Sequence, residues 1–386
     1  MNILSEIGDR PDALLLTGKR MSDIEKLLDS HIGFPPAFYS DPAVYRFEMN
    51  AIFHRKWQYF APLAQASNPG DVVTGMVGTT PIVVVRTKDG ELRGFVNMCR
   101  HRMFPVVEKN ASNCTRLMCR YHSWTYSLEG KLVRAPDTDH EPGFEKSENG
   151  LIPISVDVWG PAIFVNALPD TPPLRDAMPE LYALTKEQNF DEDASSYKFL
   201  SSYTKVQAAN WKLWSDNSVE CYHCDAVHGA SFTEIVEADV EAGEQTLRHA
   251  GSIMYNPFKI LPPKPGRTTA TSYKTLLLFP GAHFLQIDEL MVLGRMVPTG
   301  PESCSYTANY FIKDGADRSR IERFAEIFNQ TFDEDAQLVE KQQIALASPF
   351  ASPLRYVKSR EPAALLTNRL ILAALKDHAG QLDQLD

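Results

Sequence analysis

Four residues in the first half of the chain constrain it most: Cys99 and His101, in Cys99-Arg100-His101, then Cys119 and His122, in Cys119-Arg120-Tyr121-His122. The pattern is C-x-H, seventeen residues, C-x2-H. Zinc sites more often pair two Cys close together and two His close together. Here each short loop offers one thiolate and one imidazole. That division suits a binuclear [2Fe–2S] cluster in which one iron takes both thiolates and the other takes both imidazoles. Neutral histidines raise the potential of such a cluster above that of an all-cysteine one.

The surrounding residues predict a β scaffold for these loops. From about Trp57 to Ala167 the chain alternates short β-rich runs with turn residues. Pro81 to Arg86 is followed by the Asp89-Gly90 turn and then Leu92 to Asn97. Glu129-Gly130 separates Trp124–Leu128 from Leu132–Arg134. An Asp-Gly turn between strands is a strong hairpin signal and Glu-Gly a weaker one. Both loops are therefore expected on a small antiparallel β domain.

The stretch from Asn97 to Arg102, with Cys119-Arg120-Tyr121-His122-Ser123-Trp124, resembles the Rieske domain of the Rieske non-haem iron oxygenases. That family usually has Pro before the Tyr-His pair, where this chain has Arg120, and Gly where Met103 and Ser123 stand. Ligand identity is untouched by these departures, but loop geometry and cluster potential are open to change. Arg120 reads either as a cation raising the potential or as a solvated side chain.

Bulk properties set the frame. The 386 residues allow two or three domain-sized units. The three expected are an N-terminal segment, 1–44, packing with the catalytic domain, then a Rieske [2Fe–2S] domain, 45–167, and a catalytic iron domain, 168–386. A net charge of −10 argues against nucleic acid or anionic membrane as the main partner. No signal peptide or membrane span is expected, and six cysteines do not make a disulfide framework. Cys114, Cys221, Cys224 and Cys304 are expected as free thiols, with Cys221 and Cys224 serving as packing within a helix. The reading is a cytoplasmic protein. No Gly-rich dinucleotide fingerprint or P-loop is present, so electrons are expected from a separate NAD(P)H-dependent reductase or ferredoxin.

A second constellation runs from Asn210-Trp211-Lys212 to Glu220-Cys221-Tyr222-His223 and on to His228, within an expected helix over Trp211–Val227. Residues five apart point roughly 140° apart on a straight helix. Gly229 after His228 is expected to unwind the helix and let the second imidazole swing back. Glu220, three before His223, shares its face and would fix its tautomer. Two histidines need a carboxylate to complete the facial triad of a non-haem iron site. Asp335 is the candidate, lying on a stripe with Phe332, Ala336 and Val339; Asp333 is the alternative, and Glu334 and Gln337 point away from that stripe.

The same oxygenase family carries this arrangement in its catalytic domain. The resemblance runs from about His31 to the last helix and implies an α+β chain: a small antiparallel β Rieske [2Fe–2S] domain plus a helix-grip (START-like) catalytic domain. It implies Cys99, His101, Cys119 and His122 as cluster ligands and His223, His228 and Asp335 as ligands of mononuclear Fe(II). Glu220 stands where many members have a bridging Asp, carrying electrons from His122 of one subunit to His223 of the next in a ring, usually a homotrimer. The Glu220-to-Cys224 string resembles the branch acting on glycine betaine, carnitine and stachydrine. The expected activity is monooxygenation of a quaternary ammonium or N-methyl compound, with N- or O-dealkylation. Aromatic-ring cis-dihydroxylation is the alternative. Of the remaining histidines, His283, after Phe279-Pro280-Gly281, is a candidate for the pocket. Tyr203, Trp211, Trp214, Phe279 and Phe284 are candidates for a cation cage or for core.

Overall fold

In β3 (Thr80–Arg86), Ile82, Val83, Val84 and Val85 are all fully buried, and their alternation organises the smaller unit. Successive strand residues face opposite ways. Ile82 and Val84 join one apolar cluster with Val73, Ile163 and Val165. Val83 and Val85 join another, with Phe95, Cys99, Cys119 and Trp124. The sheet is thus covered on both faces, and one of those faces carries the cysteine loops. The computed structural model describes residues 18–237, 247–255, 259–260 and 270–383. They divide into a unit of residues 53–177 with 192–194 and a larger unit formed by the rest.

The smaller unit is an antiparallel β structure. Its six-stranded sheet contains β1 (Gln58–Pro62), β2 (Val72–Val77), β3, β4 (Leu92–Val96), β8 (Pro153–Trp159) and β9 (Ala162–Asn166), in the order β1-β9-β8-β4-β3-β2. A three-stranded sheet joins β5 (Leu117–Met118), β6 (Thr125–Tyr126) and β7 (Leu132–Arg134). Both expected turns are present, with Gly90 at φ +87° and Gly130 at φ +83°. At Gly130 even a Cβ would approach the Phe95 ring to 2.4 Å, so the β6–β7 turn has to be glycine.

The larger unit is α+β. Its sheet contains β10 (Tyr197–Gln207), β11 (Arg248–Ala250), β12 (Ile253–Tyr255), β13 (Tyr273–Leu278), β14 (Ala282–Ile287), β15 (Leu290–Gly300) and β16 (Ser303–Lys313). The seven strands are antiparallel in the order β10-β16-β15-β14-β13-β12-β11. Four helices matter for the site: α1 (Trp211–Ser218), α2 (Cys224–Val227), α3 (Arg318–Leu346) and α4 (Pro362–Asp383). Helix α3 starts where the Asp317 side chain accepts from the Ser319 and Arg320 amides. It buries Ile321, Phe324, Phe328, Phe332, Ala336 and Val339 at three- and four-residue spacing, and packs on β10 and β16. A long helix against an antiparallel sheet is the helix-grip arrangement the resemblance implies.

The expected helix over Trp211–Val227 does not run unbroken: it is two helices, interrupted at Val219–His223. The Glu220 carboxylate turns back to accept the Tyr222 amide, which substitutes for the helical partner of that N–H.

Candidate metal centres

The two cysteine loops are geometric twins. In the first, the Cys99 amide donates to Phe104 O at 2.8 Å and the Met103 amide to Cys99 O at 2.9 Å. In the second, the Cys119 amide donates to Trp124 O at 2.9 Å and the Ser123 amide to Cys119 O at 3.0 Å. The fifth residue of each turn, Met103 or Ser123, takes a left-handed φ of +57° or +59°. These are the two positions where the sequence departs from glycine.

A left-handed non-glycine residue costs roughly 1–2 kcal/mol. Ser123→Gly is therefore expected to stabilise the cluster-loaded chain by about 1 kcal/mol, less what glycine gains in unfolded-state freedom. Thermal loss of the visible cluster absorption reads this directly. An unchanged or lower midpoint would show that the loop carries no such strain.

Cys99 and Cys119 are both 2% exposed, whereas His101 and His122 are exposed at the surface with ring centroids 4.6 Å apart. Two thiols beneath and two imidazoles above match the asymmetry of a cluster held by a cysteine pair on one iron and a histidine pair on the other. The scaffold holds them closely. Tyr126 Oη is 3.3 Å from Cys99 Sγ and accepts from the Arg100 amide at 2.9 Å. His101 stacks on Trp124 at 5.0 Å. Asn97, buried, accepts from the Val106 and Val107 amides at 3.0 Å. Arg120 pairs with Glu108 at 2.5 Å in a largely exposed position, so much of its charge is offset locally.

In the larger unit three donor atoms converge. His223 Nε2 lies 3.2 Å from His228 Nε2, and Asp335 Oδ1 lies 3.2 Å from the first and 3.0 Å from the second. The break before α2 produces this, because it leaves His223 and His228 at the two ends of a one-turn helix. The far ring nitrogens are both taken. Glu220 Oε1 accepts from His223 Nδ1 at 2.6 Å, and Glu334 Oε2 accepts from His228 Nδ1 at 2.8 Å. Both Nε2 lone pairs therefore face the centre. Asp335 Oδ1 is buried and has no hydrogen-bond partner among the described residues. Three ligands at about 2.1 Å from one ion, at right angles, stand about 3.0 Å apart, which is the spacing found. The residues present thus fit a facial triad for a divalent metal.

Glu334 belongs to this site, although its wheel position directs it off the apolar stripe. It reaches His228 from the side, with Ser231 Oγ at 2.6 Å and Gln330 Nε2 at 2.9 Å also donating to it. The signal was available: an acid beside a ligand candidate deserves the same reading for His228 as Glu220 had for His223. Asp333, the alternative carboxylate, accepts instead from Tyr203 and Lys205, each at 2.6 Å.

Cys221 and Cys224 are joined as a disulfide, correcting the expectation of free thiols, with Cα atoms 4.9 Å apart. The break in the helix brings the two sulfurs face to face. Cys224 Sγ lies within 4.8 Å of the converging nitrogens, but as a disulfide sulfur it is no thiolate ligand. The cavity beside the triad is bordered by Trp214, Phe232, Tyr273, Phe328 and Phe332. Of the aromatic candidates read from sequence only Trp214 borders it. Trp211 is buried against Glu48, Tyr203 bonds Asp333 and Phe284 is fully buried. His283 does border it.

A unit built to hold one redox cluster and another built to hold an open-sided metal form the division of labour of the Rieske non-haem iron oxygenases. Comparison with known families agrees. Residues 56–154 match the Rieske [2Fe-2S] domain and residues 194–374 the ring hydroxylating alpha subunit (catalytic domain), together about seven-tenths of the chain. The chain belongs to the Rieske oxygenases. Among its relatives, the glycine betaine monooxygenase oxygenase subunit of Pseudomonas aeruginosa (strain UCBPP-PA14) is 32% identical over 59% of this chain and 52% of its own length. The chain thus spans about half the length of that relative. The chloroplastic choline monooxygenase of Atriplex hortensis is 26% identical over 84% of this chain and 73% of its own. The fold matches a quaternary ammonium Rieske monooxygenase solved in complex with L-carnitine, with TM-score 0.76, 23% identity, and coverage of 89% and 95%.

Proposed function

We propose that the chain is a terminal oxygenase that hydroxylates a small quaternary ammonium or N-methyl compound with O2 and electrons from a separate NAD(P)H-dependent reductase or ferredoxin. The convergence of His223, His228 and Asp335 on one point beside an aromatic-lined cavity carries this reading. Cys99, His101, Cys119 and His122 are the proposed cluster ligands. When bound, the cluster supplies single electrons and the mononuclear iron activates oxygen.

The protein's own residues bind, orient and exclude water. Glu220 and Glu334 hold the two imidazoles in the tautomer that presents Nε2. Phe232, Phe328 and Phe332 keep the cavity apolar, and the electron-rich ring faces of Trp214 and Tyr273 suit an N-methyl cation. Hydroxylation at a carbon bearing nitrogen gives a product that collapses to an amine and an aldehyde. Glu220 is also the proposed bridge from His122 of one subunit to His223 of its neighbour in a homotrimer. Among the described residues no helix is long and apolar enough to cross a membrane. The proposed compartment is the cytoplasm.

A single turnover of reduced, iron-loaded protein with O2 and a substrate panel tests the proposal. Aldehyde release with a dealkylated amine from a quaternary ammonium compound is expected. A cis-diol from an aromatic acid, with no reaction on the amines, would overturn it in favour of ring dihydroxylation.

A further inference from the structure

The triad comes from helical segments, but the sheet brings a polar group of its own to the same cavity. His283 on β14 and Thr275 on β13 both border it, with His283 Nε2 and Thr275 Oγ1 3.0 Å apart. Leu277, which pairs with His283 across the strands, and Phe232 and Phe328, which border the same cavity, are apolar. Enclosure by protein pushes the His283 imidazole down to about 4, and the nearby Asp335 carboxylate opposes this only in part. The ring is therefore uncharged at neutral pH. A neutral imidazole keeps one N–H donor and one bare acceptor, and a threonine hydroxyl has one donor and two lone pairs. Their mutual contact uses one site on each, so both residues border the cavity with hydrogen-bonding capacity left over. Polar groups set in an apolar wall cost free energy until they find partners.

We infer that His283 and Thr275 form a neutral hydrogen-bonding anchor for an uncharged oxygen function, a hydroxyl or carbonyl, on the substrate. The inference rests on the quaternary ammonium reading and sharpens it. A substrate held by its oxygen at the sheet and by its N-methyl groups among the aromatic rings presents a methyl carbon toward the triad. The preferred class is then a quaternary ammonium alcohol or its carbonyl counterpart, over one ending in a carboxylate. An uncharged anchor offers a carboxylate no opposite charge, and Glu220 and Asp335 already bring two carboxylates to this cavity.

The test is binding to the full, iron-loaded chain, followed by calorimetry and by Trp fluorescence. The probes are choline, ethyltrimethylammonium (the same cation without oxygen), glycine betaine, and 3,3-dimethyl-1-butanol (a neutral analogue of choline). Choline is expected to bind about tenfold tighter than ethyltrimethylammonium, the value of one well-made hydrogen bond. It should also bind tighter than glycine betaine. His283→Leu and Thr275→Val should each bring choline to within about twofold of ethyltrimethylammonium, leaving the latter unchanged, while His283→Gln keeps part of the preference. Unchanged ethyltrimethylammonium binding also shows that the variants are folded. A choline preference that survives both variants, or tighter binding of glycine betaine, overturns the anchor. If no cation binds but 3,3-dimethyl-1-butanol binds and is lost in His283→Leu, the ammonium reading fails and the anchor stands. Binding of ethyltrimethylammonium alone overturns the anchor, and binding of none of the four probes overturns both.

Discussion

Lys212→Met is expected to destabilise the larger unit by about 3–5 kcal/mol at neutral pH, the usual result of stranding one partner of a buried ion pair. Lys212 and Glu48 are both 0% exposed, with Nζ and Oε1 2.7 Å apart. Glu48 also accepts from Trp211 Nε1 at 2.8 Å. Burial pushes the Glu48 carboxyl up and the Lys212 ammonium down; their mutual attraction opposes this most, helped by the Trp211 hydrogen bond to Glu48 and by the Asp216 carboxylate near Lys212. Without Lys212 the folded-state pKa of Glu48 rises further above its unfolded value. Such a group loses stability as pH rises through the folded value and keeps it below the unfolded value of about 4.3. The deficit should therefore be largest at pH 7–8 and shrink toward pH 4. Glu48→Gln with Lys212→Met removes both charges and should recover most of the loss. Urea titrations of the three proteins at two pH values measure this. A Lys212→Met chain as stable as the parent at pH 8 would mean that water reaches the pair.

Much of the fold follows from periodicities that read the same way locally and in the folded chain. The Val-rich run in β3 is buried on both faces, and the Asp89-Gly90 and Glu129-Gly130 turns close the hairpins expected of them. Strand β10 gave no such signal. It lies at the edge of its sheet, and Lys198, Ser201, Ser202 and Lys205 occupy its exposed and half-exposed positions, so no alternation with an apolar face marks it. The helix break at Val219–His223 was also hidden, because no Gly or Pro stands there. A carboxylate competing for a backbone N–H makes it, and only the folded geometry reveals that competition.

The site was legible to the extent that it rests on spacing. His223 and His228 stand out as a pair five residues apart, and Asp335 as an acid on an apolar stripe 107 positions further along. Helical-wheel logic fails for Glu334 because it treats a side chain as a direction. A glutamate is long enough to turn toward a neighbour that is not on its own helix. Cavity residues were the least legible. Thr275 and His283 meet only through the register of β13 and β14, which pairs Leu277 with His283.

Asp335→Ala is expected to remove mononuclear iron and oxygenation together while leaving the cluster spectrum intact. Iron content should fall from about three per chain to about two. The reason is local. Asp335 Oδ1 is the anionic member of three donors spaced 3.0–3.2 Å apart, and without it two neutral imidazoles face the centre. Two further variants separate holding metal from using it. Glu334→Ala removes the acceptor that orients His228 and should weaken iron binding by about 10–100-fold, restored by excess Fe(II). Glu220→Gln keeps a group able to accept from His223 Nδ1, so iron should stay bound. If Glu220 carries the electron route, that variant keeps both metals, reduces normally at the cluster and yields no product coupled to O2. Normal product formation by Glu220→Gln would confine Glu220 to orienting His223. Retention of about three irons by Asp335→Ala would place the metal elsewhere, since no other arrangement of these donors leaves Asp335 dispensable.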